Sequence, residues 1–447
     1  MIEQGLGPGV SMDLEDREAR SYDFGRMIRR IPGAVATPRS PEEVSSIVRG
    51  CARDEVPLTI RGGGHSQGGQ SLSDGGLVLD TMRLDRIQPP EGELVRAQGG
   101  AQWGEVLDAL RGTRLLPPVM ADIAEVTVGG TLSAGGLGTT SHRYGMQIVH
   151  VEQLEVVTGT GERVLCSRTR NADLFDAVRG GQGQFGIITE AWVRLRRAGG
   201  RIRLYELRYR DFDRFSSDFR HVVDDDRFDH LRVQTRLHEQ EIVLSAGVEY
   251  GEECDDGEVL AGLGHDRFAI VIDTAEVGHA VMFPKWGFSR NNFHPWRDWL
   301  LPWEALPELL VQPWLDPQWV PRAPFNWTGF YPIRAGAVDA PLFMYPKGER
   351  MFSYSILSVL GDYIWANHLV GRLREITATL VGLGGKSYLS GGVDYGRREW
   401  EEHYGEKLDL GRRWKNEFDP EHVFRGEGMP FGESPDGPGP GKRQSVP

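Results

Sequence analysis

Several features that define common protein classes are missing from this sequence. No apolar run is long enough to cross a membrane. The first residues carry neither the basic stretch nor the apolar stretch that marks a protein for secretion. The sequence therefore predicts a cytoplasmic protein without a membrane partner.

Cysteine is scarce, and no metal-binding motif is evident. The three cysteines, Cys51, Cys166 and Cys254, cannot form a disulfide framework and show no Cys-x-x-Cys spacing. The twelve histidines include no His-Glu-x-x-His pair. We therefore expect no bound metal, and we interpret Cys51 and Cys166 as buried thiols.

Positive charge is in deficit. The chain has 51 basic and 64 acidic residues, a net charge of −13, and no segment gathers a basic tract. A nucleic-acid partner, whose phosphates require a positive surface, is therefore not expected.

The length of 447 residues, with 39% hydrophobic and 26% charged residues, is typical of a globular protein with two domains or one large domain with an insertion.

The most distinctive stretch is glycine-rich and runs from Arg61 to Gln70. Gly62, Gly63 and Gly64 lack a Cβ and can take positive φ angles, so a phosphate could approach a row of backbone N–H groups. His65 follows directly. The spacing matches neither the Gly-x-Gly-x-x-Gly motif nor the Gly-Lys-Ser/Thr motif. The stretch alone allows two interpretations: an anion-binding loop with a histidine that meets a cofactor, or a glycine-rich turn with a surface histidine.

A second stretch of small residues extends from Ala121 to Gly138. Its many glycines disfavour an ordinary helix or strand, so we expect its backbone to lie against a flat ligand. Upstream, Ser40 and Pro41 are typical of a helix start.

These stretches resemble the FAD-linked oxidases of the vanillyl-alcohol oxidase type, with a PCMH-type FAD-binding domain, and cytokinin dehydrogenase most of all. The matching pattern continues to Thr189. The resemblance implies that FAD is bonded covalently to His65. It also implies a single bond, because no cysteine lies near Asp122 to Gly130, where berberine-bridge-like relatives carry a second one. Asp122 would be the general base, and its alternative role is a helix or turn cap.

The predicted fold class is α+β. A two-part FAD-binding domain, residues 1–197 and 389–447, would enclose an inserted substrate-binding domain, residues 198–388, with an antiparallel sheet flanked by helices. Within the insertion, Ile356 to Leu360 and Tyr363 to Leu383 fit a helical pattern.

Both chain ends are expected to be poorly ordered. The segment from Met1 to Asp23 is polar, and the tail from about residue 433 is rich in proline and glycine.

The resemblance further implies the residues of a site. The cofactor would be held by His65 and by Gly62, Gly63, Gly64, Ser66, Gln70, Gly129, Gly130, Thr131, Ile188 and Tyr388. The substrate would meet Trp296, Asp298, Leu389 and Arg232, although aromatic residues such as Trp296 are often ordinary core. Arg232 stands where cytokinin dehydrogenases have an adenine-binding glutamate, and a guanidinium group only donates hydrogen bonds.

The expected activity is hydride transfer to flavin from a C–H bond next to nitrogen or oxygen of a small molecule. Oxygen or another acceptor would then reoxidise the flavin. An N6-substituted adenine is the first candidate substrate. The alternatives are an alcohol or amine of secondary metabolism, and a flavin-binding protein without turnover.

Overall fold

The computed structural model describes residues 9–236, 239–282, 291–315, 325–426 and 428–431. Within these residues the chain forms four β-sheets. No helix of the described part has both the length and the apolar character needed to cross a membrane. The tail expected to be disordered lies outside the described residues.

The first sheet carries the glycine-rich stretch. Its elements are β1 (Val10–Ser11), α1 (Leu14–Ala19), β2 (Ala34–Ala36), α2 (Pro41–Arg53), β3 (Leu58–Arg61) and β4 (Leu77–Asp80). The strand order is β1-β2-β4-β3, with β4 parallel to both β2 and β3. As predicted, α2 begins after Ser40, whose side chain accepts a hydrogen bond from Glu43 N at 3.3 Å. The glycine-rich stretch therefore leaves the carboxyl end of a buried parallel strand.

The second sheet is antiparallel and has the order β5-β9-β7-β8. β6 and β10 form a separate two-stranded sheet. The elements of this region are β5 (Leu94–Gln98), α3 (Trp103–Ala109), β6 (Leu115–Leu116), α4 (Val128–Ala134), α5 (Ser141–Tyr144), β7 (Val151–Val157), β8 (Arg163–Ser167), α6 (Ala172–Val178), β9 (Ile187–Arg194) and β10 (Arg196–Arg197).

The helix α4 corrects the expectation that its small residues could not form a helix. Thr127 caps it, because its side chain accepts a hydrogen bond from Gly130 N at 3.2 Å. The small residues serve close packing instead: a Cβ at position 129 would lie 2.9 Å from the carbonyl oxygen of Gly99. The gain from this tertiary packing outweighs the low helix propensity of glycine.

The third sheet has eight antiparallel strands in the order β14-β11-β13-β12-β16-β17-β15-β18. Its strands are β11 (Arg201–Tyr209), β12 (His230–Arg236), β13 (Glu241–Tyr250), β14 (Arg267–Thr274), β15 (Trp296–Pro302), β16 (Phe325–Arg334), β17 (Arg350–Val359) and β18 (Lys386–Tyr388). The helices of this region are α7 (Phe212–Asp224), α8 (Asp256–Val259), α9 (Val277–Ala280), α10 (Leu306–Leu310) and α11 (Tyr363–Gly382). Buried aromatic side chains such as Phe215, Phe219 and Phe330 belong to the core of this sheet.

The chain then returns to its first half through α12 (Arg397–Tyr404) and α13 (Lys407–Phe418). Lys415 Nζ donates to the carbonyl oxygen of Gln184 at 2.9 Å, and Leu58 N donates to the carbonyl oxygen of Val423 at 2.8 Å. The segment around residues 423–424 thus bonds to the edge of β3. On this basis we propose that residues from 389 onward complete the FAD-binding domain.

Two local predictions were wrong. Ile356 and its neighbours lie in the interior strand β17, which is buried on both faces. The spacing of Ile356, Leu357 and Leu360 resembles one face of a helix. The described part of the N-terminal segment is ordered, because β1 pairs with β2 and Arg20 Nε bonds Asp80 at 2.9 Å. Polar contacts rather than apolar burial hold this segment, so its composition gave no sign of order.

Candidate active site

A cavity with a free volume of about 1580 Å³, including the solvent at its mouth, lies between the first half of the chain and the third sheet. One side consists of the glycine-rich stretch after β3, the segment around α4 and the residues that enter β9. The other side consists of strands β15 to β18 and includes Trp296, Asp298, Trp327, Tyr331, Ser355, Leu357 and Tyr388. The cavity therefore joins residues far apart in the sequence.

The cavity gathers nearly all of the predicted site residues. It is lined by Asp122, Trp296, Asp298 and every residue predicted to hold the cofactor: His65, Gly62, Gly63, Gly64, Ser66, Gln70, Gly129, Gly130, Thr131, Ile188 and Tyr388. Leu389 and Arg232 are not among the lining residues. Leu389 instead accepts a hydrogen bond from Gln70 Nε2 on its carbonyl oxygen at 2.7 Å, and so holds a lining residue in place.

Close contacts require glycine at positions 62, 63 and 64, which together we call the glycine cradle. A Cβ at position 62 would lie 2.3 Å from Thr127 Oγ1, and one at position 63 would lie 2.8 Å from the carbonyl oxygen of Glu125. Gly64 has a φ angle of 72°, which side chains rarely adopt, and its Cα faces the side chain of Arg61. The backbone is thereby exposed to the cavity beside the half-buried guanidinium group of Arg61, which suits a diphosphate.

His65 extends from this cradle. Burial and the nearby Arg61 guanidinium lower the pKa of its imidazole to about 4, so the ring is neutral at physiological pH. The ring stacks on Phe24, with centroids 5.1 Å apart and planes at 27°. Its Nδ1 is buried and has no hydrogen-bond partner among the described residues. A neutral imidazole of this kind can act as a nucleophile.

Asp122 has a buried carboxyl group, and the described residues give a hydrogen-bond partner to only one of its two oxygens. Its Oδ2 accepts a hydrogen bond from the hydroxyl of Tyr331 and lies 3.6 Å from Arg232 Nη1. Its Oδ1 is buried without a hydrogen-bond partner in the described part of the chain. Burial raises the pKa of the carboxyl group, and the Arg232 guanidinium and the Tyr331 hydroxyl oppose this rise. Such an environment is suited to proton transfer.

Asp298 is a second buried carboxyl group in the cavity. Its Oδ1 accepts hydrogen bonds from Trp296 Nε1 at 2.7 Å and from the hydroxyl of Ser355, and its Oδ2 accepts one from Ser390 Oγ at 3.0 Å. Burial raises its pKa to about 6. The carboxyl group therefore fixes the indole of Trp296, which forms part of the cavity wall.

The sequence interpretation missed Tyr331, Ser355, Ser390 and Phe24 as site residues. Tyr331 lies on the same face of β16 as Trp327. The two-residue alternation of the strand could therefore have indicated that both side chains point toward the cavity. No local pattern marks Phe24, because its contact with His65 depends on the path of the N-terminal segment.

Part of this chain is similar to known flavin-binding proteins. A family model described as an FAD binding domain matches residues 32–167. Cytokinin dehydrogenase 7 of Oryza sativa subsp. japonica is 37% identical over 60% of this chain and 53% of its own length. Residues 32–167 thus match an FAD-binding domain, and the chain is similar to the FAD-linked oxidases with a PCMH-type FAD-binding domain. The predicted FAD cofactor and oxidoreductase class are thereby confirmed.

Two further relatives cover more of this FAD-linked oxidoreductase. An uncharacterized oxidoreductase, ORF5 in the fasciation locus of Rhodococcoides fascians, is 29% identical over 90% of this chain and 94% of its own length. The solved structure of glucooligosaccharide oxidase from Acremonium strictum, described with a 6-S-cysteinyl, 8α-N1-histidyl FAD, has a TM-score of 0.75 and 20% identity. The similarity extends over 93% of this chain and 95% of the glucooligosaccharide oxidase chain. It confirms the predicted α+β fold.

The similarity to cytokinin dehydrogenases is partial. The chain spans about half the length of the cytokinin dehydrogenases it matches, with 53% of the first and 46% of another Oryza sativa enzyme covered. Their activity therefore does not transfer directly to this FAD-linked oxidoreductase.

Proposed function

We propose that this oxidoreductase oxidises a small molecule at a C–H bond next to nitrogen or oxygen, with Asp122 as the general base. The observation that carries the proposal is the buried Asp122 carboxylate, whose Oδ1 has no hydrogen-bond partner among the described residues and which lines the cavity. A carboxylate held ready in this way can accept the proton that the substrate heteroatom loses.

FAD, when bound, accepts the hydride that leaves the substrate carbon. As this bond breaks, positive charge grows on the adjacent nitrogen or oxygen, and Oδ1 of Asp122 takes its proton to leave an imine or a carbonyl product. The hydroxyl of Tyr331 and the guanidinium of Arg232 hold the other carboxylate oxygen. Burial raises the pKa of Tyr331 well above its ordinary value, so this hydroxyl remains a donor.

The cofactor would be held by the glycine cradle and by Gly129, Gly130, Thr131, Ile188 and Tyr388 along the cavity. His65 would carry a single covalent bond to FAD. The imidazole nitrogen would replace one hydrogen of the flavin 8α-methyl group, with loss of protons and two-electron reduction of the flavin, which oxygen or another acceptor would reverse. Support comes from the neutral ring of His65, its unengaged Nδ1 and the histidyl FAD of glucooligosaccharide oxidase. None of the three cysteines lines the cavity, so a second, cysteinyl bond has no residue to form it.

An N6-substituted adenine is the first candidate substrate. The cytokinin dehydrogenase relatives and the indole walls formed by Trp296 and Trp327 support it. An alcohol, or an amine unrelated to cytokinins, is the second candidate. Arg232 favours the second, because the position expected to carry an adenine-binding glutamate holds a guanidinium that only donates, pairs with Asp122 and does not line the cavity.

Flavin reduction without oxygen tests the proposal. The purified protein is mixed anaerobically with isopentenyladenine, and in parallel with a panel of alcohols and amines, while the long-wavelength flavin absorbance is followed. At least one compound should bleach the flavin, and Asp122→Asn should slow this step by roughly 100-fold or more. Asp108→Asn, an exposed carboxylate on α3, is the matched control and should react like the wild type. Equal rates for Asp122→Asn and wild type would exclude Asp122 as the base.

Acid precipitation tests the covalent bond separately. The wild-type pellet should stay yellow, whereas His65→Ala should release its flavin into the supernatant while still binding it before denaturation. A colourless wild-type pellet would refute the histidyl link and leave the role of Asp122 open to the anaerobic test.

A further inference from the structure

The segment Asp23 to Ile28 forms a closed turn near the cavity. Asp23 N donates to the carbonyl oxygen of Ile28 at 3.2 Å, and Ile28 N donates to Asp23 Oδ1 at 3.0 Å. Arg26 adopts a φ angle of 56° within the turn. The turn is therefore a defined structure fixed by its own hydrogen bonds.

This turn connects both sides of the site. On one side, Phe24 N donates to the carbonyl oxygen of Ser66, next to His65, at 3.1 Å. On the other, His294 N donates to the carbonyl oxygen of Gly25 at 2.8 Å, and His294 Nδ1 lies 3.2 Å from the carbonyl oxygen of Phe24. A Cβ at position 25 would lie 2.8 Å from Gln67 Oε1. The turn therefore packs against the side chain of Gln67 at a distance that requires glycine.

The ring of Phe24 contacts three other aromatic side chains, of which His65 and Trp296 line the cavity. It stacks on His65, and it lies 5.6 Å from the His294 ring at an angle of 35°. It meets Trp296 edge-on, with centroids 6.0 Å apart and planes at 66°. Offset stacks and edge contacts of this kind restrict ring orientation. The loop residues before His65 are glycines, which offer no side chain to support the imidazole.

We propose that Phe24 is a positioning residue that holds the imidazole of His65 in the orientation needed to bond FAD. The proposal rests on the covalent link proposed above. Bond formation requires near-attack geometry, and small misplacements slow such reactions strongly. Without the Phe24 ring, the imidazole can rotate away from the cofactor and is open to solvent on that side.

The test compares three variants purified with their flavin. Phe24→Ala should keep near-normal total flavin. In samples purified at successive times after expression begins, the fraction of this flavin that remains in the acid pellet should rise roughly 10-fold more slowly than in the wild type. Phe24→Tyr retains the stacking ring and should restore the wild-type rate. Tyr22→Ala, which removes a ring that contacts only Arg26 and Arg29 among the ring contacts described, is the control from the same segment.

The outcomes separate this proposal from the covalent link itself. An unchanged rate of attachment in Phe24→Ala, or failure of Phe24→Tyr to rescue a slow rate, would overturn the positioning role. If the wild type holds its flavin without a covalent bond, the link fails, and diethylpyrocarbonate labelling of His65 then decides the role of Phe24. Faster labelling in Phe24→Ala than in the wild type and Tyr22→Ala supports positioning, and equal labelling refutes it.

Discussion

The carboxyl group of Asp298 allows a quantitative test of the electrostatics of the cavity. Only 4% of the residue is exposed, and its three hydrogen-bond donors, on Trp296, Ser355 and Ser390, are all neutral. Burial raises its pKa from 3.8 to about 6, so the native state binds this proton more tightly than the unfolded chain does. Stability from this group is therefore greatest below pH 4 and is lost as the pH rises through 6.

The magnitude follows from the pKa change. Because one pKa unit corresponds to about 1.4 kcal/mol, ionised Asp298 lowers the free energy of unfolding by about 3 kcal/mol above pH 7. Asp298→Asn removes the charge and keeps the shape and an oxygen acceptor for the Trp296 indole. We expect this variant to gain about 3 kcal/mol at about pH 7.5 but only about 1 kcal/mol at about pH 4.5.

Urea unfolding, followed by tryptophan fluorescence at the two pH values, measures the difference. A gain that does not depend on pH would show that the carboxylate is not destabilised by burial. A loss of stability at the higher pH would show that its charge is compensated in the native state, and the reasoning would be refuted.

Two further substitutions test packing and a buried ion pair. Gly129→Ala should lower the free energy of unfolding by about 1 to 3 kcal/mol and reduce FAD retention, since the new methyl group meets a backbone carbonyl; Gly371→Ala, in open space on α11, is the control and should not destabilise. Lys415→Met should cost about 3 to 5 kcal/mol in urea unfolding, because it leaves the fully buried Asp419 carboxylate without its cation. A cost below about 1 kcal/mol would indicate that the backbone N–H donors to Asp419 suffice.

Local signals in the sequence were enough to predict the cofactor side of the site. The glycine cradle and His65 are contiguous, so their geometry depends on a few neighbouring φ angles and on the strand that precedes them. The helix start at Ser40 followed from a short motif, whereas Asp122, which lines the cavity, was predicted from the resemblance to cytokinin dehydrogenases. Their roles in binding and catalysis remain predictions.

The substrate side depends on long-range pairing, which a single sequence does not reveal. Tyr331 reaches Asp122 only because β16 takes its place in the third sheet, between β12 and β17. Arg232 was expected at the substrate, but in β12 its guanidinium lies 3.6 Å from Asp122 and does not line the cavity. Ile356 was assigned to a helix because Ile356, Leu357 and Leu360 have the spacing of a helix face, although they belong to or follow a strand buried on both faces.

The hydrogen bonds between β3 and residues 423–425 form late during synthesis of the chain. Leu58 N donates to Val423 and its carbonyl oxygen accepts from Arg425 N at 2.9 Å, while Thr59 Oγ1 donates to the carbonyl oxygen of Arg425 at 2.5 Å. A ribosome therefore releases the strand that leads into the cradle long before it releases the partner of that strand. The cradle therefore gains this support only after residues 423–425 have left the ribosome, and we expect flavin loading to follow their synthesis.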